Sequence, residues 1–158
     1  MDFPCPQYRG ISPRTQFRTV TPRIPLSLRI AAWFAVAAWA CTITYFSTLT
    51  GPEIEELGIT FWDKAEHFSA FTAGGVVLSA ALRWTFDWPW KKLTVSAILA
   101  LAVFGAIDEI HQLYTPNRSG ADPLDWLADA LGALAGVALF VALYARFIRA
   151  HRPAPAGN

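Results

Sequence analysis

From Ile30 to Leu49 the chain runs for 20 residues without a charge. Wound into a helix at ~1.5 Å per residue, such a run covers the ~30 Å hydrocarbon layer of a bilayer. The composition agrees: of 158 residues, 54% are apolar and only 16% are charged, against about 25% charged in an ordinary soluble domain. The length allows one domain. No stretch interleaves Lys and Arg with aromatic residues, which argues against nucleic acid as a partner and leaves the lipid bilayer. Cys5 lies in a Pro-rich tail and Cys41 inside the first apolar run, so no disulfide framework is expected. Ala38-Trp39-Ala40-Cys41 behind Arg29 faintly resembles a lipoprotein cleavage site, but the apolar run continues to Leu49, so the segment reads as a retained first helix.

Three further apolar runs follow, Phe68 to Leu82, Leu93 to Ile107 and Leu124 to Leu143. The middle two are short, yet Trp84, Trp88 and Trp90 crowd the loop between them, with Trp62 and Trp126 near the opposite ends. Tryptophan at both rims is the pattern of an interfacial belt. Counting ~20 residues back from Arg83 reaches Asp63, and ~20 forward from Lys92 reaches Gln112. The middle spans therefore reach full length only if their polar ends enter the membrane. The expected fold is all-α, a polytopic four-helix transmembrane bundle over residues 28–149. A disordered, basic, Pro-rich tail over 1–27 and a short tail over 150–158 flank it. Eleven of the 13 Lys and Arg fall on one side of this layout, and only Lys64 and Arg118 on the other. By the positive-inside rule, both termini of a multi-pass cell-membrane protein are then cytoplasmic.

The polar residues near the outer ends fall on stripes. Asp63, His67 and Gly74 share one helix face by spacing. So do Gly105, Asp108 or Glu109 and Gln112, and again Asp125, Asp129, Gly132 and Gly136. Each stripe continues into small residues, where another helix can approach closely. Carboxylates on such faces point into the bundle, and an ionisable group that deep, at roughly 3 kcal/mol on insertion scales, persists mainly when paired or functional. Lys64 could instead be an interfacial anchor, Arg118 a lipid-phosphate contact, and Asp122 and Asp125 helix caps. Glu66 and His111 are expected to face headgroups.

Together, Asp63-Lys64-Ala-Glu-His67-Phe68, Asp108-Glu109-Ile-His-Gln112, Pro116-Asn-Arg118 and Asp125-xxx-Asp129-xx-Gly132-xxx-Gly136 resemble the VanZ-like family. That family's pattern is DKxxHF, E-xx-Q, P-G-R and D-xxx-N/D-xx-G, and the resemblance runs from about Trp62 to Gly136. Two departures stand out, Phe71 where the family often has Tyr and Asn117 where Gly is usual; Asp129 is the less common variant at a position where Asn is commoner. The namesake's link to low-level teicoplanin resistance implies a role in the bacterial envelope, and the resemblance implies no reaction.

Several functions fit these residues. In an enzyme acting on a lipid-linked or cell-wall substrate, His67 and Glu109 would serve as acid and base and Asp125 and Asp129 would orient the histidine. Asp63, Lys64, Asp108, Gln112 and Arg118 would hold substrate, with Arg118 on a phosphate or carboxylate. No activated Ser or Cys is present, which disfavours a covalent route. No cofactor or metal is called for by a ligand motif, since HExxH and paired Glu-x-x-His are absent, although His67, Glu109 and Asp129 form a possible ligand set for a metal-assisted variant. A binding or transport element, which would need an oligomer, and a scaffold glued by its polar cluster are the non-catalytic alternatives.

Overall fold

A computed structural model describes residues 24–58 and 63–150, with the Asp63 side chain outside the description. The basic tail up to residue 23, Trp62 and the C-terminal residues 151–158 also lie outside the described residues. The order of elements is α1 (Leu26–Thr48), α2 (Gly51–Glu56), α3 (Asp63–Thr85), α4 (Trp90–Gln112) and α5 (Pro123–Ala150). All are helices, and no strand occurs among the described residues.

The bounds of α3 and α4 coincide with the positions reached by counting inward from Arg83 and Lys92. Their polar ends are therefore helical and belong to the same rods as the apolar middles. α1 starts before its apolar run and ends at Thr48, while α5 extends past its run at both ends, with Arg149 in its last turn, where the helix dipole favours a cation. α1, α4 and α5 are each long and apolar enough to cross a membrane. At 23 residues α3 is as long as α1 and α4, but Asp63, Lys64, Glu66, His67 and Arg83 make it less apolar. Large apolar side chains such as Phe34, Leu99, Val103 and Leu143 face outward, over half exposed, which suits lipid as the surrounding solvent. The one unanticipated element is α2. Thr50 and Glu53 start it in the S/T-x-x-E spacing, Glu53 Oε2 accepting from the Thr50 backbone N–H at 2.8 Å and from its hydroxyl at 2.7 Å.

Successive long helices run antiparallel. At one end Trp33 of α1 donates to Thr85 at 2.9 Å, and Arg83 lies over the rings of Trp90 and Tyr144. Lys92 covers Trp88 at the same end. The C-termini of α1 and α4 and the N-termini of α3 and α5 gather at the other end. The core between is apolar and aromatic: Phe71, Leu78, Leu82, Leu93, Leu101 and Val137 are buried. Trp39 meets Phe71 edge-on with centroids 5.5 Å apart and meets Phe104 at 5.2 Å. Phe71 thus sits 1% exposed in an aromatic cluster, with no hydroxyl to satisfy there.

The most extensive packing is α3 against α5, and glycine makes it possible. A Cβ on Gly132 would strike the carbonyl of Phe68, and one on Gly136 the carbonyl of Thr72. Gly75 faces the same seam, where an added Cβ would stand 2.7 Å from Ala133 O. The backbones touch, as small-xxx-small patterns allow, and that closeness brings the polar first turns of both helices together. Gly136→Ala is expected to destabilise the protein in detergent by about 1–3 kcal/mol through overpacking. Leu139→Ala, on the exposed face of the same helix, should change stability by no more than about 0.5 kcal/mol. Thermal unfolding of the two variants checks the difference.

Candidate functional site

α5 is started by Asp122, whose Oδ1 accepts the Leu124 N–H at 2.8 Å, with Pro123 at the first helical position. The same aspartate does more than cap. Its Oδ2 takes a hydrogen bond from Lys64 at 2.9 Å, and its backbone N–H donates to Glu109 Oε2 at 2.9 Å. The Lys64 bond, and after it the Leu124 N–H, hold the Asp122 carboxyl below the usual carboxylate range. Lys64 also pairs with Asp125, whose side chain is only 3% exposed. Lys64 is thus tied to two carboxylates rather than standing alone as an interfacial anchor.

One turn further into α5, Asp129 has no exposed surface. Its Oδ1 lies 2.9 Å from Nδ1 of His67 on α3, and Oε1 of Glu109 on α4 stands 4.0 Å from the same nitrogen. Room for Asp129 comes from Gly105, where an added Cβ would sit 2.7 Å from Oδ2. The spacing of Gly105 with Asp108 and Glu109 is therefore a cradle for a carboxylate from the neighbouring helix. Two oxygens in this cluster, Glu109 Oε1 and Asp129 Oδ2, are buried without a hydrogen-bond partner. Each such atom costs about 1–3 kcal/mol, more if charged.

A second polar chain crosses from α1 to the loop after α4. Asp108 receives Ser47 Oγ on Oδ1 and Gln112 Nε2 at 2.9 Å on Oδ2, and Gln112 Oε1 accepts from Arg118 at 2.9 Å. Thr115 Oγ1 closes the loop onto the Ser47 carbonyl at 2.9 Å. Asn117 adopts φ 57°, the left-handed region that Gly or Asn favours.

Of these side chains, Ser47, His67, Asp108, Gln112 and Arg118 line a cavity of about 450 Å³. One wall is polar, with Glu66, His67, Asp108, Gln112 and Arg118. The other is apolar, built from Ile43, Phe46, Ile54 and Phe71. Of the residues expected at the site, His67, Glu109 and Asp129 form one cluster, Lys64 with Asp122 and Asp125 another, and Asp108, Gln112 and Arg118 the chain described above. Asp63 is on the first turn of α3, with its side chain outside the description. Ser47 and Glu66 are additions. Ser47 lies near the end of the uncharged run Ile30 to Leu49, which also carries Thr42, Thr44 and Thr48, so nothing in the sequence singles out its hydroxyl. Glu66, expected among headgroups, faces the cavity.

Among the described residues an all-helical fold with three helices long and apolar enough to span a bilayer, and a cluster of buried carboxylates at one end, defines a membrane protein with a polar end site. The family model described as VanZ/LLP1 matches residues 30–145, and the chain belongs to that family. No curated protein and no solved structure matches it.

Lys64→Met would remove the ammonium that pairs with the buried Asp125 and with Asp122, and is expected to cost about 1–3 kcal/mol. That is below the ~3–5 kcal/mol of a fully buried broken pair, because the Lys64 side chain is 35% exposed. Adding Asp125→Asn should recover much of the loss, a coupling that thermal unfolding of the single and double variants measures.

Proposed function

We propose that the chain crosses the bacterial cell membrane four times with both termini cytoplasmic. In this reading α3 is the fourth span, carried through the membrane because its polar groups face other helices instead of lipid. The lopsided placement of Lys and Arg supports the orientation, and so does the tryptophan-and-cation belt at the end opposite the site. The cavity then opens at the outer face of the membrane.

Its two walls suit an amphiphile: an anionic headgroup against Arg118 and Gln112, and an apolar chain against Ile43, Phe46 and Phe71. A lipid-linked or cell-wall precursor has this chemistry. His67 is the proton-carrying group. The single observation behind this assignment is its position on the cavity wall with Nδ1 held by the fully buried Asp129. A buried carboxylate on Nδ1 fixes ring orientation and tautomer and leaves Nε2 for proton exchange with a bound group. Arg118 serves as the anion anchor. Action on such a precursor would be the route to glycopeptide, and specifically teicoplanin, tolerance. The rival reading is a scaffold whose polar chains only hold helices together, favoured by the Ser47–Asp108–Gln112–Arg118 chain, in which each member is satisfied by the next.

Stability and phenotype together separate the two. His67→Gln, Asp129→Asn and Arg118→Gln are expected to lower teicoplanin tolerance to the level of cells lacking the protein, while the His67 and Arg118 variants unfold in detergent within a few degrees of wild type. Stability falling in proportion to phenotype in all three would make the site structural and sink the proposal.

A further inference from the structure

The acids at this end of the molecule are not equally matched. Asp108 is met by Ser47 and Gln112, and Asp122 and Asp125 by Lys64. Glu109 and Asp129, 3% and 0% exposed, each retain one buried oxygen with no hydrogen-bond partner. Both side chains are directed at the same imidazole. One donor atom from each of His67, Glu109 and Asp129 lies within 4.8 Å of the other two. Nδ1 is 2.9 Å from Asp129 and 4.0 Å from Glu109.

Donors bound to a first-row dication at ~2.0–2.2 Å stand roughly 3–3.5 Å from one another. The three groups therefore need only small side-chain rotations to close on an ion. We infer that His67, Glu109 and Asp129 form a binding site for a divalent first-row transition ion, zinc or manganese. One imidazole with two carboxylates is a borderline-to-hard donor set, which disfavours soft Cu(I), while the imidazole disfavours the all-oxygen ions Mg²⁺ and Ca²⁺. Charge points the same way. A dication with two carboxylates is neutral in a water-poor interior, whereas a proton on His67 leaves the trio with one net negative charge. Three protein ligands also leave a coordination position open, as in catalytic rather than structural sites.

The inference uses the site of the preceding section without depending on its acid–base role. An ion on Nδ1 displaces the proton shared with Asp129, and His67 then meets the cavity only as an Nε2–H donor. Proton exchange through His67 belongs to the ion-free form.

Tag-free protein in detergent, stripped with EDTA and desalted, can be titrated with ZnCl₂ and, separately, with MnCl₂. Retained metal is counted by mass spectrometry after a second desalting, and thermal unfolding is followed in parallel. The expected result is one equivalent of at least one of the two ions per chain and a raised Tm. His67→Gln, Glu109→Gln and Asp129→Asn should each weaken binding at least tenfold, and His111→Ala should leave it unchanged. Cobalt(II) loaded into the wild type gives visible absorption from the bound ion, so the test stands even if a variant fails to fold. No retained ion, no Tm shift and no cobalt spectrum in the wild type would overturn the inference, as would undiminished binding in all three site variants. An ion-free wild type whose His67→Gln variant still loses teicoplanin tolerance would overturn this inference alone and leave the acid–base reading in place.

Discussion

Asp129 has no exposed surface, and a carboxylate in that position has to be matched by groups brought from elsewhere in the chain. The match comes from α3, through His67, and the space comes from α4, through Gly105. The His67 contact depends on α3 and α5 packing backbone to backbone. Gly132 and Gly136 let the α5 backbone rest on the Phe68 and Thr72 carbonyls, so the hydrophobic and the polar parts of the contact form one continuous seam. Packing without glycine would separate the pair; the pair without packing would leave a carboxylate facing apolar surroundings.

The same constraint explains why the polar groups are distributed as they are. The other buried acids have their own donors: Lys64 of α3 for Asp125, and for Asp108 Ser47 of α1 together with Gln112 one turn along the same helix. The loop after α4 serves both sets, since Asp122 reaches Glu109 and Lys64 while Arg118 reaches Gln112. The result is two interlocked networks over a cavity whose far wall is apolar. The opposite end of the molecule holds its cations differently, against the faces of Trp88, Trp90 and Tyr144, an arrangement suited to a membrane–water boundary.

Much of this was legible in the residues. The full lengths of α3 and α4 follow from treating Asp63, His67, Asp108 and Gln112 as parts of helices, and the Gly132 and Gly136 stripe does mark the close contact. Which acid pairs with which cation did not follow. Asp125 and Asp129 are four residues apart on one face, so spacing alone offers both to His67. The choice is made by the register at which α3 and α5 cross, and that is set by the glycines and carbonyls in contact. Ser47 was hidden because a serine near a helix end barely alters hydropathy. α2 was hidden because six residues are too few for a periodic signal, although Thr50 and Glu53 carried its capping pattern.

The pairing of His67 with Asp129 is the point on which the account rests, and nitrogen NMR of the histidine rings in detergent observes it directly. In wild-type protein the His67 Nδ1 resonance should have the shift of a hydrogen-bonded nitrogen. In Asp129→Asn it should move markedly, while the His111 resonances stay where they are. A His67 ring whose shifts match those of a solvent-exposed histidine, and do not change in Asp129→Asn, would contradict the account.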